Sequence, residues 1–239
     1  MEIAEPPHPD APSSDAPSSD APSPDAPSLD SLAADAWRLT AAGPRVLLGL
    51  AGPPGAGKST LARALVERIG EEAAYLPLDG FHLSNAQLAR LGLTARKGSE
   101  PSFDVYGYLA LLRRVLAETG RDLYVPDFDR TLDEPVAARH RVAPAARLVI
   151  TEGNYLACDL PGWRDARGLM GALWYVEAPG DVRQLRLVER QLAGGRTRQG
   201  AEDWVRTNDG PNGELVEGSR ARADRIVSTI GMDMFNSRP

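Results

Sequence analysis

An α/β fold, with a parallel sheet sandwiched between helices, is predicted by three observations. Short apolar runs rich in Val, Leu and Ile recur along the chain, separated by stretches with helical spacing. The first run leads directly into Gly52-Pro-Pro-Gly-Ala-Gly-Lys-Ser59, and that octet leads directly into an amphipathic segment. Only two of the 27 basic residues are lysines, Lys58 inside the octet and Lys97. Strands that are apolar throughout are buried on both faces, which is the condition of a parallel sheet covered by helices.

At 239 residues the chain suits one domain plus tails. Residues 10–29 repeat Asp-Ala-Pro-Ser-Ser with small changes, with no aromatic and almost no large aliphatic residue. Such a segment cannot bury enough apolar surface to offset its ordering entropy, so residues 1–30 are expected as a disordered tail ahead of a folded domain at 31–239. The formal charge of −6 is a property of that tail, because residues 1–36 hold eight acids and no Lys or Arg. The remainder has 27 basic residues against 25 acidic ones. That balance carries no nucleic-acid footprint and is compatible with a small anionic ligand held by local arginines. Cys158 is alone, so no internal disulfide is expected and a reducing cytoplasm is the simplest compartment. No apolar run approaches the length of a membrane span, and the N-terminus lacks the charged and apolar regions of a secretion signal. A homodimer stays open.

From the tail onward a short helix is expected near residues 31–41, then strand 45–51, the glycine-rich octet and helix 60–69. Strand 73–77, helices 85–90 and 105–119 and a brief strand 123–125 follow, with a small hairpin or excursion at 135–142. Strands at 147–151 and 171–176, helices at 182–192 and 201–207 and a last strand at 224–228 complete the reading. Ligands in such sheets bind at the carboxyl ends of the strands, so the residues just after each strand carry the chemistry.

The octet fits G-x-x-x-x-G-K-[ST], a loop whose backbone N–H groups wrap nucleotide phosphates. Gly52, Gly55, Ala56 and Gly57 form the cradle, and Thr60 lies at the start of the helix behind it. Lys58 would reach the β- and γ-phosphates as a compact charge that arginine's planar fork cannot replace, while the Ser59 hydroxyl would hold Mg²⁺. A nucleoside triphosphate with Mg²⁺ is thus the expected ligand.

The second strand ends in Asp79-Gly-Phe-His82. Asp79 could orient an attacking hydroxyl and take its proton, or could cap a turn. Gly80 would permit close backbone approach or a positive φ, and His82 suits packing as well as substrate contact. The strand at 147–151 ends in Glu152-Gly-Asn-Tyr155. Glu152 could hold the metal shell directly, act through water, or face the acceptor. Arg96 and Lys97 could balance phosphate or acceptor charge or belong to a solvated loop, and Ser102 and Asp104 are candidate helix N-caps. Around Phe128, the acids Asp127 and Asp129 with Arg130 suit either stacking on a polar acceptor or a salt-bridged turn. Arg183, Arg186 and Arg190 lie on a helix ending at Gly194-Gly195, as in a lid that closes over a triphosphate, or on a solvated helix face. Asn208 opens a turn-rich stretch, Asn208-Asp-Gly-Pro-Asn212, where an adenine edge could be read.

With these motifs in this order, the chain resembles the P-loop kinase group of uridine kinase, phosphoribulokinase and bacterial pantothenate kinase. Asp79-Gly-Phe81 is similar to the Asp-Gly-Phe of the pantothenate enzyme, and Arg96-Lys-Gly98 to its Arg-Lys-Gly. Closer still is the nucleoside/nucleotide kinase-like branch, also termed fructose-transport-associated kinase, with Asp-Gly-Phe-His, Glu-Gly-Asn-Tyr-Leu and Asn-Asp-x-Pro-Asn as at 79–82, 152–156 and 208–212. The resemblance implies a P-loop NTPase-type sheet with a helical lid. It also implies ATP-dependent phosphoryl transfer to a small molecule, with Asp79 as base, the arginines Arg186 and Arg190 closing over the reaction, and Tyr155 among the acceptor contacts. The chain lacks the later substrate-pocket pattern of pantothenate kinase and has Asp-Gly-Phe-His where uridine kinase has Asp-Ser-Phe-Tyr. Neither named activity transfers directly. The competing reading is an ATP-binding regulatory switch with no acceptor.

Overall fold

The structure is a computed structural model that describes residues 27–232. Most of the expected tail lies outside the described residues. Helix α1 (Leu29–Arg38) starts inside the expected tail, because Ser28 caps it by accepting from the Ser31 N–H at 3.1 Å. Leu29, Leu32, Ala33 and Ala36 form its buried stripe, so Leu29 packs with the domain, while Asp30 stays exposed and pairs with Arg68.

Strand β1 (Val46–Ala51) is buried at every position and feeds the glycine loop that opens α2 (Lys58–Ile69). Strand β2 (Ala73–Pro77) follows, then α3 (Asn85–Leu91) and α4 (Val105–Ala117). Asp104 caps α4 as expected, its carboxylate accepting from the Gly107 N–H at 2.8 Å. Ser102 is instead buried and staples a turn, with its hydroxyl on the Gly98 N–H and the Ser99 carbonyl.

Strand β3 (Leu123–Asp129) runs four residues past its expected end and pairs antiparallel with β4 (Glu134–Val142), so residues 135–142 are one arm of a hairpin with β3 rather than a small hairpin of their own. The register slips between Val125 and Asp127, where Pro126 has no N–H to donate. This hairpin is a separate two-stranded sheet.

The chain then returns through β5 (Leu148–Glu152), α5 (Trp163–Arg167) and β6 (Ala172–Glu177). Helices α6 (Gly180–Ala193), α7 (Arg198–Trp204) and α8 (Gly210–Glu217) precede the edge strand β7 (Arg225–Ser228). The five parallel strands lie in the order β2-β5-β1-β6-β7. Alternate residues of β1 face opposite cores. Leu47 packs with Tyr108, Leu112 and Trp163, whereas Leu48 and Leu50 pack with Leu32, Leu61 and Leu65. Among the described residues no helix is long and apolar enough to cross a membrane.

Residues 208–212 are not a loop. Val205–Asp209 forms a π-helical turn that continues into α8, with Pro211 in that helix's first turn. The Gly210 N–H bonds back to the Val205 carbonyl across the π-turn, and Pro211, which has no N–H to donate, follows where the hydrogen-bond register changes.

Candidate nucleotide and acceptor site

The glycine loop at the carboxyl end of β1 has the backbone its sequence demands. Gly52, Gly55 and Gly57 have φ of 146°, 79° and 92°. A Cβ on Gly52 would lie 2.1 Å from the Val176 carbonyl oxygen, and one on Gly55 2.8 Å from that of Arg183. Ala56 is fully buried, and its carbonyl accepts from the Thr229 hydroxyl at 2.9 Å. Lys58 and Ser59 open α2 and Thr60 lies half-buried on its first turn, so the loop ends on a helix N-terminus of the kind that favours anions.

Lys58 is 7% exposed, and its Nζ donates to the Pro53 carbonyl at 3.1 Å and to Asn154 Oδ1 at 2.7 Å. Both acceptors are neutral. Burial pulls its pKa down to about 8, against the raising influence of the Glu152 and Asp79 charges. A buried ammonium without a contact counter-charge fits a loop made to receive phosphate.

Glu152, at the end of the neighbouring strand β5, is the second buried charge. Its Oε1 accepts from the Ser59 hydroxyl at 2.9 Å and from the Tyr75 hydroxyl at 2.8 Å. Its Oε2 accepts no hydrogen bond from the described residues. Burial and the charge of Asp79 raise its pKa, while Lys58 opposes them. Hydroxyl and carboxylate oxygens suit Mg²⁺, which is commonly held by one or two carboxylates together with substrate phosphates. Ser59 and Glu152 are the residues that fit it.

Asp79 sits on the 3-10 turn Leu78–Phe81 just after β2, partly open to solvent. Gly80 allows close approach here rather than a positive φ, since a Cβ would meet the Pro126 backbone at 2.5 Å. That contact brings the hairpin against Asp79, and the Arg130 guanidinium lies 3.7 Å from its Oδ2. His82 Nδ1 is 2.8 Å from the Asp79 carbonyl, with its ring packed on Phe103 and Phe128. Burial lowers its pKa, so it packs here as a neutral imidazole.

Four expected ligand contacts are placed differently. Lys97 pairs with Asp133 at 2.8 Å, donates to Asn85 Oδ1 at 2.6 Å and covers the Phe128 ring, which supports the hairpin tip. Arg96 donates to the Thr207 carbonyl at 3.0 Å and reaches Asn212 Oδ1 at 3.4 Å. Asn208 is buried and donates to the Lys97 carbonyl at 2.8 Å, which takes it away from an adenine edge. Tyr155 is fully buried and donates to the Gly98 carbonyl at 2.7 Å. Together these side chains clasp the 96–98 turn between β5 and the π-helical turn.

The lid helix α6 lies over the loop. Arg186 donates to the Gly55 carbonyl at 3.1 Å. Arg190 stands 3.9 Å from Asp209, and burial and the nearby Arg130 lower its pKa. Arg183, not among the expected catalytic residues, backs Gly55 and pairs with Glu217. Asn154 and Tyr75 were also absent from the expected site. Asn154 stood within a motif that marked it, whereas Tyr75 is an ordinary aromatic of a buried strand.

A parallel sheet of this order, with a glycine loop, buried lysine and strand-end carboxylate at its carboxyl edge, defines a P-loop nucleotide-binding protein. The comparisons with known proteins agree. The chain is 36% identical over 197 residues to the Schizosaccharomyces pombe protein named "Putative uridine kinase", covering 78% of this chain and 84% of that one. It is 33% identical over 159 residues to an "ATP-dependent kinase-like protein" of Aspergillus versicolor, covering 63% of this chain and 92% of the relative. Among solved structures, the "putative fructose transport system kinase" of Silicibacter sp. TM1040 superposes with a TM-score of 0.73 at 34% identity, covering 82% and 98% of the two chains. No family model matches. The chain belongs to the P-loop kinase family, in the group of the uridine kinase-like proteins.

Proposed function

We propose that the protein is an ATP-dependent kinase that transfers the γ-phosphate to a hydroxyl of a small metabolite such as a nucleoside, sugar, sugar phosphate or pantothenate-like compound. The observation that carries this reading is that Lys58 and Ser59 of the loop, Glu152 at the end of β5 and Asp79 just after β2 all lie at the carboxyl ends of adjacent strands, with Ser59 bonded to Glu152 and Lys58 to Asn154, two residues on. A nucleotide loop alone needs no carboxylate on the acceptor side, and Asp79 stands there. Kinase names among the relatives support the same reading.

In this mechanism the loop amides and Lys58 hold the β- and γ-phosphates of substrate ATP. Asp79 orients the acceptor hydroxyl and takes its proton as the new O–P bond forms and the bond to the ADP oxygen breaks. Lys58, with Arg186 and Arg190 from α6, stabilises charge on the transferring group. Ser59 and Glu152 are the residues that would hold Mg²⁺, which when bound would supply charge neutralisation to the transferring phosphate. With Arg96 and Lys97 engaged in the clasp, Arg130 is the cation left facing the acceptor.

The test is incubation with ATP, Mg²⁺ and a panel of nucleosides, pentoses, hexoses, pantothenate and sugar phosphates, read by mass spectrometry. At least one member is expected to gain phosphate. Tight Mg²⁺-dependent ATP binding with no phosphorylated product would favour a nucleotide-dependent switch instead.

A further inference from the structure

We propose that Tyr75 is a positioning residue that fixes Glu152 for its metal and ties it to the acceptor-bearing hairpin through His140, Asp127 and Arg63. The inference rests on the kinase reading and assigns a role to residues that the reading leaves unused.

Tyr75 lies at the centre of β2 with its ring buried. Its hydroxyl donates to Glu152 Oε1, the oxygen that also accepts from Ser59. Two donors on one oxygen hold the carboxylate in a single rotamer and leave Oε2 free of protein partners. A metal ligand needs that kind of outer support.

The ring of Tyr75 is in turn enclosed by two other elements. His140 of β4 meets it edge-on, with ring centroids 5.1 Å apart and planes at 80°. The Arg63 guanidinium of α2 lies over its face, 5.1 Å from the centroid. Asp127 of β3 joins the two flanking residues, with His140 Nε2 at 2.8 Å and the Arg63 guanidinium at 3.7 Å from its Oδ2. Its other oxygen accepts from the Phe128 N–H at 2.7 Å. Phe128 packs on His82, and Arg130, two residues on, faces Asp79. One continuous set of contacts therefore runs from the acceptor wall to Oε1 of the Glu152 carboxylate.

An alternative is that Tyr75 is only a core tyrosine whose hydroxyl happens to find a partner. Stability measurements do not separate the two, but metal dependence does. Titration calorimetry with ATP in excess Mg²⁺ and in EDTA gives the factor by which Mg²⁺ tightens binding. For Tyr75→Phe that factor is expected to fall at least tenfold while Mg²⁺-free binding stays within twofold of wild type. For His140→Gln, a half-exposed site that leaves the strand intact, a fall of about threefold is expected in the same factor. Both variants keep the lysine and the glycine loop.

If Tyr75→Phe folds and retains the full Mg²⁺ factor, the positioning role is overturned. Should that variant not fold, His140→Gln decides, and an unchanged factor there overturns it equally. Failure of the wild type to bind ATP at all is a different result, and it removes the nucleotide reading on which the inference stands.

Discussion

Lys58 is where single-residue chemistry is most exposed to measurement. Its pKa is depressed from 10.5 to about 8 in the ligand-free fold, so the unfolded chain holds a proton there that the fold lacks between those values. Stability contributed by this group therefore rises with pH through that window. Below about 8 the buried charge costs the fold on the order of 3 kcal/mol. Bound phosphate reverses the imbalance by favouring the charged form. ATP affinity, measured calorimetrically, is thus expected to be flat below pH 8 and to fall by up to about tenfold per unit above it, because binding then requires proton uptake. An affinity independent of pH up to 10 would contradict the buried, uncompensated ammonium. Lys58→Ala is expected to abolish phosphoryl transfer with the fold intact, as judged by circular dichroism and product mass spectrometry. Asp79→Asn keeps the shape and removes the base, so ATP binding should persist while kcat drops by orders of magnitude. An unchanged kcat would reduce Asp79 to a turn residue.

At the scale of elements, Arg45 shows how much of the frame depends on one side chain ahead of β1. It is 5% exposed, and its guanidinium donates to the carbonyls of Ala146, Val115 and Ala143 at 2.7, 3.1 and 2.8 Å. It ties the end of α4 to the turn before β5. Arg45→Leu would leave these buried carbonyls unpaired, with an expected loss of about 3 kcal/mol and a melting point about 10 °C lower in a calorimetric scan. A loss within 2 °C would mean that water replaces the guanidinium. The strands at the centre of the parallel sheet were legible in the sequence because burial on both faces demands continuous apolar runs, and the glycine loop because its φ angles exclude other residues; the half-exposed β3 and β4 were legible only in part. The α8 boundary was not, since Gly210-Pro211-Asn212 signals a turn unless one knows that the proline occupies a helix's first turn. Tyr75 and Asn154 were hidden for another reason. Their partners, Glu152 and Lys58, are 77 and 96 residues away in the chain, and no local pattern reports such a contact.

For the whole molecule, the distribution of buried surface predicts which part moves. Two large clusters fill the faces of the five-stranded sheet, each continuous from helix to helix. Helices α6 and α7 have a core of their own, limited to Leu187, Val188, Ala201 and Val205. Orphaned polar atoms lie in and beside this lid, with Arg183 Nε on α6 and Asn208 Oδ1 and Asp209 Oδ2 on the adjoining π-helical turn buried and unpaired among the described residues. A unit with few apolar contacts and unsatisfied polar groups opens at low free energy. The hydrogen bond from Arg186 to the Gly55 carbonyl, with Arg183 packed behind the same glycine, ties it to the phosphate loop, and bound nucleotide would add phosphate oxygens to the partners of the α6 arginines. Hydrogen exchange is therefore expected to be fast in residues 180–204 of the free protein and to slow at least tenfold with ATP and Mg²⁺. Strands β1 and β5 should exchange slowly in both states. Equal protection of α6 and α7 with and without nucleotide would mean that these helices are a fixed wall, and closure would have to come from the β3–β4 hairpin, whose arginine already faces Asp79.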